Sequence, residues 1–345
     1  MNADQLSYTP ENDSVLEFFR WKKTRKKMIQ LIGPRLLNYN ENELISVFNL
    51  WESSAKNAFQ SEQNSVILGG FLNLALFFYF RRSISRINKF IPILTQFVRH
   101  PNRCICKTAM HLLTYLSSHS RENINFLHDF VSVSWLKFDD PESSFRSLVI
   151  LDEAFYLTPA LVRSFVIPHF TTIVSLCFDD DFDMQDIALQ VIYHHTCQPG
   201  DGIYLTNLFE ICYSHLTPEP SNANRGALFI ARMLVKMHLT SDQLNSLLLM
   251  LTTFLKLKDE IVTALCGEII LSIFEQETPI SSHLMNHLCS SIFNAIRFAP
   301  DSPRLLAIFV RVIDKIPKNM FPINSILEFV NEIFVKRKVA LRYGY

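Results

Sequence analysis

Residues 65–80, SVILGGFLNLALFFYF, form the most apolar run of the chain, and the small residue Gly70 lies within it. Six further apolar segments follow, and all but one of the seven segments carry a small side chain at the equivalent point. Successive equivalent points are 39 or 40 residues apart. The seven positions are Gly70, Ala109, Leu148, Ala188, Ala227, Gly267 and Ala307. This regularity indicates a tandem repeat, because unrelated helices of one domain have no reason to keep a constant interval.

Each repeat contains two apolar stretches with helical spacing, separated by short runs of Pro, Asn, Asp and Ser. A period of about 40 residues with two helices per unit is typical of HEAT and armadillo arrays. The chain has only 8 glycines, fewer than a sheet-rich fold of this length usually needs for its turns. We therefore predict an all-α fold, an α-solenoid of about seven helical hairpins, whose small residues let the paired helices approach closely.

The polar breaks predict the organisation of the chain. Residues 1–12 are expected to form a flexible tail, residues 13–39 a basic helix that Gly33-Pro34 weakens or ends, and residues 40–340 the repeat array. Units are expected to break near residues 62, 100, 139, 180, 219, 258 and 300. Pro92 and Pro168 lie two repeat lengths apart, and each is expected to kink a second helix.

Composition gives no sign of a nucleic-acid-binding or secreted protein. Lys plus Arg and Asp plus Glu both number 33, so the formal net charge is zero. The 7 cysteines follow no disulfide pattern, and no signal peptide opens the chain, which favours the cytoplasm, with the nucleus as the alternative. The run 65–80 is shorter than the roughly 20 residues that span a bilayer, and it contains Asn73, so we interpret it as a buried helix rather than a transmembrane one.

The sequence contains no motif to which we assign a catalytic, cofactor-binding or metal-binding residue. Gly69-Gly70 lies inside an apolar helix pattern and lacks the loop that a phosphate site requires. The acidic run 179–183 lacks the glycine and the final glutamate of a calcium loop, so we interpret it as a turn and helix cap. Asp140 is also expected to cap a helix, and Arg146 is expected to reach an acidic turn between repeats.

The one local feature with partner chemistry is a cluster of cations in the first predicted helix. It comprises Arg20, Lys22, Lys23, Arg25, Lys26 and Lys27. The simpler interpretation is the solvated face of a terminal helix. The alternative is attraction to anionic lipid, nucleic acid or an acidic partner segment, with Trp21 and the pair Phe18-Phe19 adding interfacial contact.

Several segments, taken in order, resemble the N-terminal HEAT region of the target of rapamycin (TOR) kinases, which belong to the phosphatidylinositol 3-kinase-related kinases. These segments are SVILGGFL (65–72), SRINKF (85–90), KTAMHLL (107–113), SWL (134–136) before Asp139-Asp140, FRSLVIL (145–151), PHF (168–170), QDIAL (185–189) and NRGALFI (224–230). The resemblance covers residues 43–240. The basic opening segment departs from it, and no kinase domain lies within the 345 residues.

The resemblance implies a non-catalytic scaffold that takes part in TOR complex assembly and signalling, with accessory subunits such as Raptor as protein partners. It implies no cofactor, and any kinase activity would belong to a longer parent, a TOR-like serine/threonine kinase. Membrane contact is expected to be at most peripheral, through residues 13–39. Two alternatives stay open: an unrelated HEAT or armadillo adaptor in transport, phosphatase assembly or the cytoskeleton, and an enzyme with a polar cluster in a concave pocket.

Overall fold

The chain is all-α wherever the structure, a computed structural model, describes it. The described residues are 14–81, 88–118, 128–129, 131–132, 135–196, 202–215, 222–235, 239–257, 259–275, 280–298 and 302–316. No strand occurs within these ranges. The predicted all-α class is confirmed.

Fourteen helices lie within the described residues. They are α1 (Ser14–Leu36), α2 (Glu41–Ala58), α3 (Asn64–Arg81), α4 (Ile91–Phe97), α5 (Arg103–Ser117), α6 (Pro141–Phe155), α7 (Pro159–Leu176), α8 (Phe182–Thr196), α9 (Gly202–His215), α10 (Asn222–Val235), α11 (Ser241–Phe254), α12 (Glu260–Phe274), α13 (Ser282–Phe298) and α14 (Pro303–Lys315). The first helices of successive repeats are α3, α5, α6, α8, α10, α12 and α14. The tail 1–12, the breaks near residues 219, 258 and 300, and the second helices expected after residues 118 and 316 lie outside the described residues.

Acidic side chains start several of the first helices. The side-chain oxygens Oδ1 of Asp140 and Asp259 accept hydrogen bonds of 2.9 Å from the N–H groups of Ser143 and Val262. In α8, Oδ1 of Asp181 accepts from the N–H of Met184 at 3.3 Å. Each of these donors would otherwise lack a partner at a helix start. The interpretation of Asp140 and of the acidic run 179–183 as helix caps is confirmed.

The helices form two compact units. One unit comprises Met1–Ile173 and Asp181–His195, and the other comprises Val174–Asp180 and Thr196–Tyr345. In the first unit, α5 packs against both α3 and α6. In the second, α12 packs against α10 and α14, while α11 packs against α13. Equivalent helices of successive repeats therefore lie side by side within each unit, and this arrangement defines an α-solenoid.

The small residues lie at helix contacts where a larger side chain would collide. A Cβ atom added to Gly70 would lie 2.7 Å from Cβ of Ala58, at the end of α2. A Cβ atom added to Gly267 would lie 2.7 Å from Cγ2 of Ile308 in α14. The Gly267 contact joins the first helices of two neighbouring repeats, whereas the sequence interpretation placed such contacts between the paired helices of one hairpin.

The other five positions differ in burial. The side chains of Ala109, Leu148, Ala188 and Ala227 are fully buried. Ala307 is exposed, contrary to its expected packing role. The reason is the orientation of α14, which turns Ile308 and neighbouring apolar side chains inward against α12 and leaves Ala307 on the outer side.

The structure agrees with one expectation about proline, since α1 ends at Leu36, two residues after Pro34, and corrects another. The helix α1 continues through Gly33 and Pro34 to Leu36, and the carbonyl that Pro34 leaves without a donor belongs to Gln30, an exposed residue at which water can replace the missing N–H. Pro92 lies in the first turn of α4, where no N–H is needed, so it does not interrupt that helix. Pro168 lies inside α7.

The arginine that reaches an acidic turn is Arg103 rather than Arg146. The guanidinium of Arg103, in α5, lies 2.6 Å from Oδ2 of Asp181 and 3.5 Å from Oε1 of Glu142. Burial alone would lower the pKa of Arg103, but the hydrogen bond to Asp181 and the nearby carboxylates raise it. Arg103 has this role because it follows the helix cap Asn102 and so points toward the starts of α6 and α8.

One described helix, α7, is long and apolar enough to cross a bilayer by length and composition, while Asn64–Phe80 is apolar but shorter. The sequence interpretation did not single out α7. Core helices meet the same criterion, and one face of α7 is buried in the protein through Val162, Val166 and Phe170.

Candidate partner-binding site

The cations predicted as a partner contact divide between two faces of α1. Arg20, Lys23, Lys26 and Lys27 are exposed, and none of them forms an ion pair with a described residue. Lys22 and Arg25 are half-buried and point toward the rest of the first unit. A single run of sequence therefore supplies both an open basic surface and two half-buried cations, of which Lys22 lines a more enclosed site and Arg25 contacts its wall.

The inner face of α1 is held by aromatic side chains. Phe18 and Trp21 are 1% and 6% exposed, and the Trp21 indole N–H donates to the carbonyl of Leu68 in α3 at 3.3 Å. Phe18 also meets the ring of His111 edge-on, with centroids 5.6 Å apart. Phe18 and Trp21 are therefore part of the core and add no interfacial contact, contrary to the sequence interpretation. Phe19 is the aromatic residue that remains exposed, at 52%.

A cavity of about 350 Å³ lies beside α1 in the first unit. Side chains of α1, α5, α6 and α8 line it, together with residues just beyond the ends of α5 and α6. The lining comprises Phe18, Phe19, Lys22, Lys107, His111, Thr114, Tyr115, Ser118, Asp152, Glu153, Tyr156, Leu157 and Gln190. This volume is at the lower end of the range for ligand pockets, so the cavity is large enough for one or two side chains of a partner.

A chain of hydrogen bonds crosses the wall of this cavity. Nη1 of Arg25 lies 3.1 Å from Nε2 of His111, and Nδ1 of the same ring lies 3.0 Å from Oε2 of Glu153. Because a guanidinium can only donate, Nε2 must accept, and the ring proton is on Nδ1, which donates to Glu153. His111 is therefore neutral in this arrangement and connects a cation on α1 to a carboxylate on α6.

The second carboxylate of the cavity, Asp152, has a different environment. Its Oδ1 lies 3.2 Å from Nε2 of His194 in α8, and its Oδ2 lies 4.0 Å from Nζ of Lys107 in α5. The hydroxyl of Tyr156 is 3.3 Å from the same nitrogen of His194. Asp152 and Lys107 are only 5% and 3% exposed. Two opposite charges are thus buried near each other without a direct hydrogen bond.

Two groups around the cavity have shifted ionisation. Burial lowers the pKa of Arg25, although Tyr115 and Glu153 act in the opposite direction. Partial burial and then the carboxylates of Asp152 and Glu153 raise the pKa of Tyr156. Tyr156 therefore keeps its phenol proton at neutral pH, and Arg25 still donates because a guanidinium is not deprotonated in proteins.

The described cysteines are free, buried thiols. Burial raises the pKa of Cys106 and Cys212 to about 12 and that of Cys289 to about 11. These thiols are protonated near neutral pH, and a protonated thiol is a poor nucleophile. Among the described residues, no group of three or more His, Cys, Asp or Glu side chains is arranged to hold a metal ion.

The sequence interpretation identified the cations of α1 but missed the polar residues of the cavity. Lys107 and His111 are one helical turn apart on α5, and Asp152-Glu153 is a charged pair that directly follows the apolar run Leu148–Leu151 in α6. Charged residues within segments that periodicity assigns to the core were the available signal.

No protein-family model matches the chain, and no curated protein matches it. Among solved structures, it is similar to an engineered protein of the Northeast Structural Genomics Consortium, with 12% identity, coverage of 65% of this chain and 95% of that one, and a TM-score of 0.40. It is also similar to a designed armadillo repeat protein, with 15% identity, coverage of 66% and 100%, and a TM-score of 0.40. The chain's own helices and their packing define its class, an all-α helical-repeat protein of the solenoid type.

Proposed function

We propose that the chain is a non-catalytic scaffold that binds partner proteins. The observation that carries this proposal is the side-by-side packing of equivalent helices in both units, α3, α5 and α6 in one and α10, α12 and α14 in the other. Such stacking uses the apolar faces for the core and leaves rows of side chains from successive repeats on an extended surface. The exposed cations of α1, Arg20, Lys23, Lys26 and Lys27, add a charged part to that surface.

The finer proposal is a role in assembling a TOR kinase complex. It is supported by the order of the segments that resemble the N-terminal HEAT region of that family. The partners are then accessory subunits of the complex, the location is the cytoplasm or the nucleus, and any kinase activity belongs to a longer polypeptide. An unrelated HEAT or armadillo adaptor remains the second candidate, with partners in transport, phosphatase assembly or the cytoskeleton.

The scaffold proposal can be tested by chemical cross-linking of the full chain in extracts of the cells that express it, followed by mass spectrometry. We expect cross-links from other proteins to lysines on exposed helix faces, such as Lys23 and Lys26 of α1. A heat-denatured sample is the control for unspecific capture. Recovery of TOR-complex subunits supports the finer proposal, and recovery of transport or cytoskeletal proteins supports the second candidate. A chain that migrates alone in gel filtration and cross-links to no other protein contradicts the scaffold proposal.

A further inference from the structure

Lys107 lines the cavity beside α1, and its ammonium group forms no hydrogen bond with a described residue. Lys107 is 3% exposed, and its Nζ lies 4.0 Å from Oδ2 of Asp152 and 5.3 Å from the centre of the Phe18 ring. A distance of 4.0 Å is too long for an N–H···O hydrogen bond. An ammonium has three N–H donors, and none of those of Lys107 has an acceptor among the described residues. The site therefore favours a hydrogen-bond acceptor that enters the cavity.

The charges around the cavity favour an acceptor that is negative. Three cations face it or its wall, Lys22 and Arg25 from α1 and Lys107 from α5, against the two carboxylates of Asp152 and Glu153. Of the two carboxylates, Glu153 has a hydrogen-bond partner, whereas the buried Oδ1 of Asp152 has none among the described residues. Glu153 accepts from His111, which is connected to Arg25, and Asp152 lies beside His194. The charges that line the cavity balance, and the excess positive charge comes from Arg25 in its wall and from the exposed cations of α1.

The positive potential continues from the cavity along the outside of α1. No Asp or Glu occurs between Glu17 and Glu41. The exposed cations of α1 begin next to Phe19, which itself lines the cavity. An acidic segment could therefore contact the helix surface and the cavity together, and long-range attraction would speed its association.

We propose that the cavity receives a carboxylate side chain from an acidic segment of a partner protein, and that neighbouring acidic residues of this segment lie along the exposed face of α1. The carboxylate accepts hydrogen bonds from Lys107 and Lys22, while Phe19 and Tyr156 contact the aliphatic part of the incoming side chain. This inference rests on the proposed scaffold function and names the chemistry of one partner contact.

A protein segment fits the site better than a bilayer. A lipid surface presents its charges in a plane, where they reach the exposed cations of α1. Lys107 lies within a concave site and is 3% exposed, so an extended side chain reaches it more readily than a flat surface does. The aromatic walls also favour an occupant with apolar atoms next to its charge.

The test is fluorescence anisotropy of a short labelled peptide rich in Glu and Asp with the full chain, compared with the same peptide carrying Gln and Asn. We expect the acidic peptide to bind and the amide peptide not to bind. Lys22→Gln and Lys107→Met are each expected to weaken binding about tenfold, because each removes a charge-assisted hydrogen bond. Lys256→Gln, an exposed lysine of the second unit, is the matched control and should leave binding unchanged.

The methionine side chain has a length similar to that of lysine, and thermal melting of Lys107→Met shows whether this variant folds. If it does not, Lys22→Gln decides the question, since Lys22 is half-buried and can be changed without altering the core. The proposal is overturned if the amide peptide binds equally well. It is also overturned if neither substitution weakens binding of the acidic peptide. A third contrary result is that the chain binds vesicles containing phosphatidylserine but not the peptide, and that Lys23→Gln/Lys26→Gln abolishes binding to the vesicles.

The same variants separate this proposal from the scaffold function. If cross-linking captures the same partners with Lys22→Gln/Lys107→Met as with the unchanged chain, the scaffold function stands and the cavity proposal fails. If the acidic peptide binds as expected but the chain captures no partner in extracts, the acidic-ligand site stands and the scaffold function fails.

Discussion

Gly69 and Gly70 are adjacent in α3, yet they should respond in opposite ways to replacement by alanine. A Cβ atom at Gly69 would have no neighbour within 4 Å, whereas one at Gly70 would lie 2.7 Å from Cβ of Ala58 and 3.0 Å from Cε1 of Phe59. Ala58 Cβ is fixed to the backbone of α2, so the contact can be relieved only if one helix moves.

Both substitutions gain helix propensity, about 1 kcal/mol each. Gly69→Ala should therefore stabilise the first unit by about this amount. Gly70→Ala gains the same contribution but adds an overpacking cost of about 1–3 kcal/mol. Since the propensity gain cancels in the comparison, the difference in unfolding free energy between the two variants, about 1–3 kcal/mol, measures the packing of α2 against α3.

Urea unfolding followed by circular dichroism measures these free energies. Thermal melting should show the same order, with shifts of about 2–4 °C per kcal/mol for a unit of this size. If the unfolding free energy depends on urea concentration with the same slope in both variants, they expose the same surface on unfolding. Equal stabilisation by the two substitutions would refute the close contact between the helices.

Three further predictions concern other parts of the chain. Ala188→Trp should destabilise the protein by about 1–3 kcal/mol, because the site is fully buried, and unchanged melting would contradict this. Burial alone would raise the pKa of Glu52, but hydrogen bonds from Lys56 and Lys89 hold it below the ordinary 4.5. The ionised carboxylate therefore stabilises the folded protein above pH 4.5. This stabilisation is lost as the pH falls through the lowered pKa of Glu52 in the folded state. Melting of Glu52→Gln should vary less with pH over this range, and an identical pH profile would disprove the role of the two lysines. Cys106, whose pKa burial raises to about 12, should react with iodoacetamide at pH 8 only after denaturation, as mass spectrometry would show, and rapid reaction in the native protein would contradict its burial.

The sequence predicted the helices well because the signals that define them are local. The caps Asp140 and Asp259 lie next to the segments that they start, and the small residues recur at a constant interval within apolar runs. Such patterns depend on only a few neighbouring residues, so they are visible without knowledge of the packing.

The cavity was not predicted because its contacts join distant parts of the chain. Arg25 and His111 are 86 residues apart, and His111 and Glu153 are 42 apart. A helical period shows which face of a helix is apolar, but it does not show which helix lies against that face. The burial of Trp21 could have been anticipated, since Phe18, Trp21 and Arg25 follow one another at helical spacing on the same side of α1.

Asp181 performs two tasks, since one of its oxygens starts α8 and the other contacts Arg103 of α5. If a force pulled α5 and α8 apart, the loss of the Arg103 contact would also release the carboxylate that holds the first turn of α8. The repeats of the first unit should therefore resist stretching jointly, with fewer and larger force steps in single-molecule extension than independent hairpins would give.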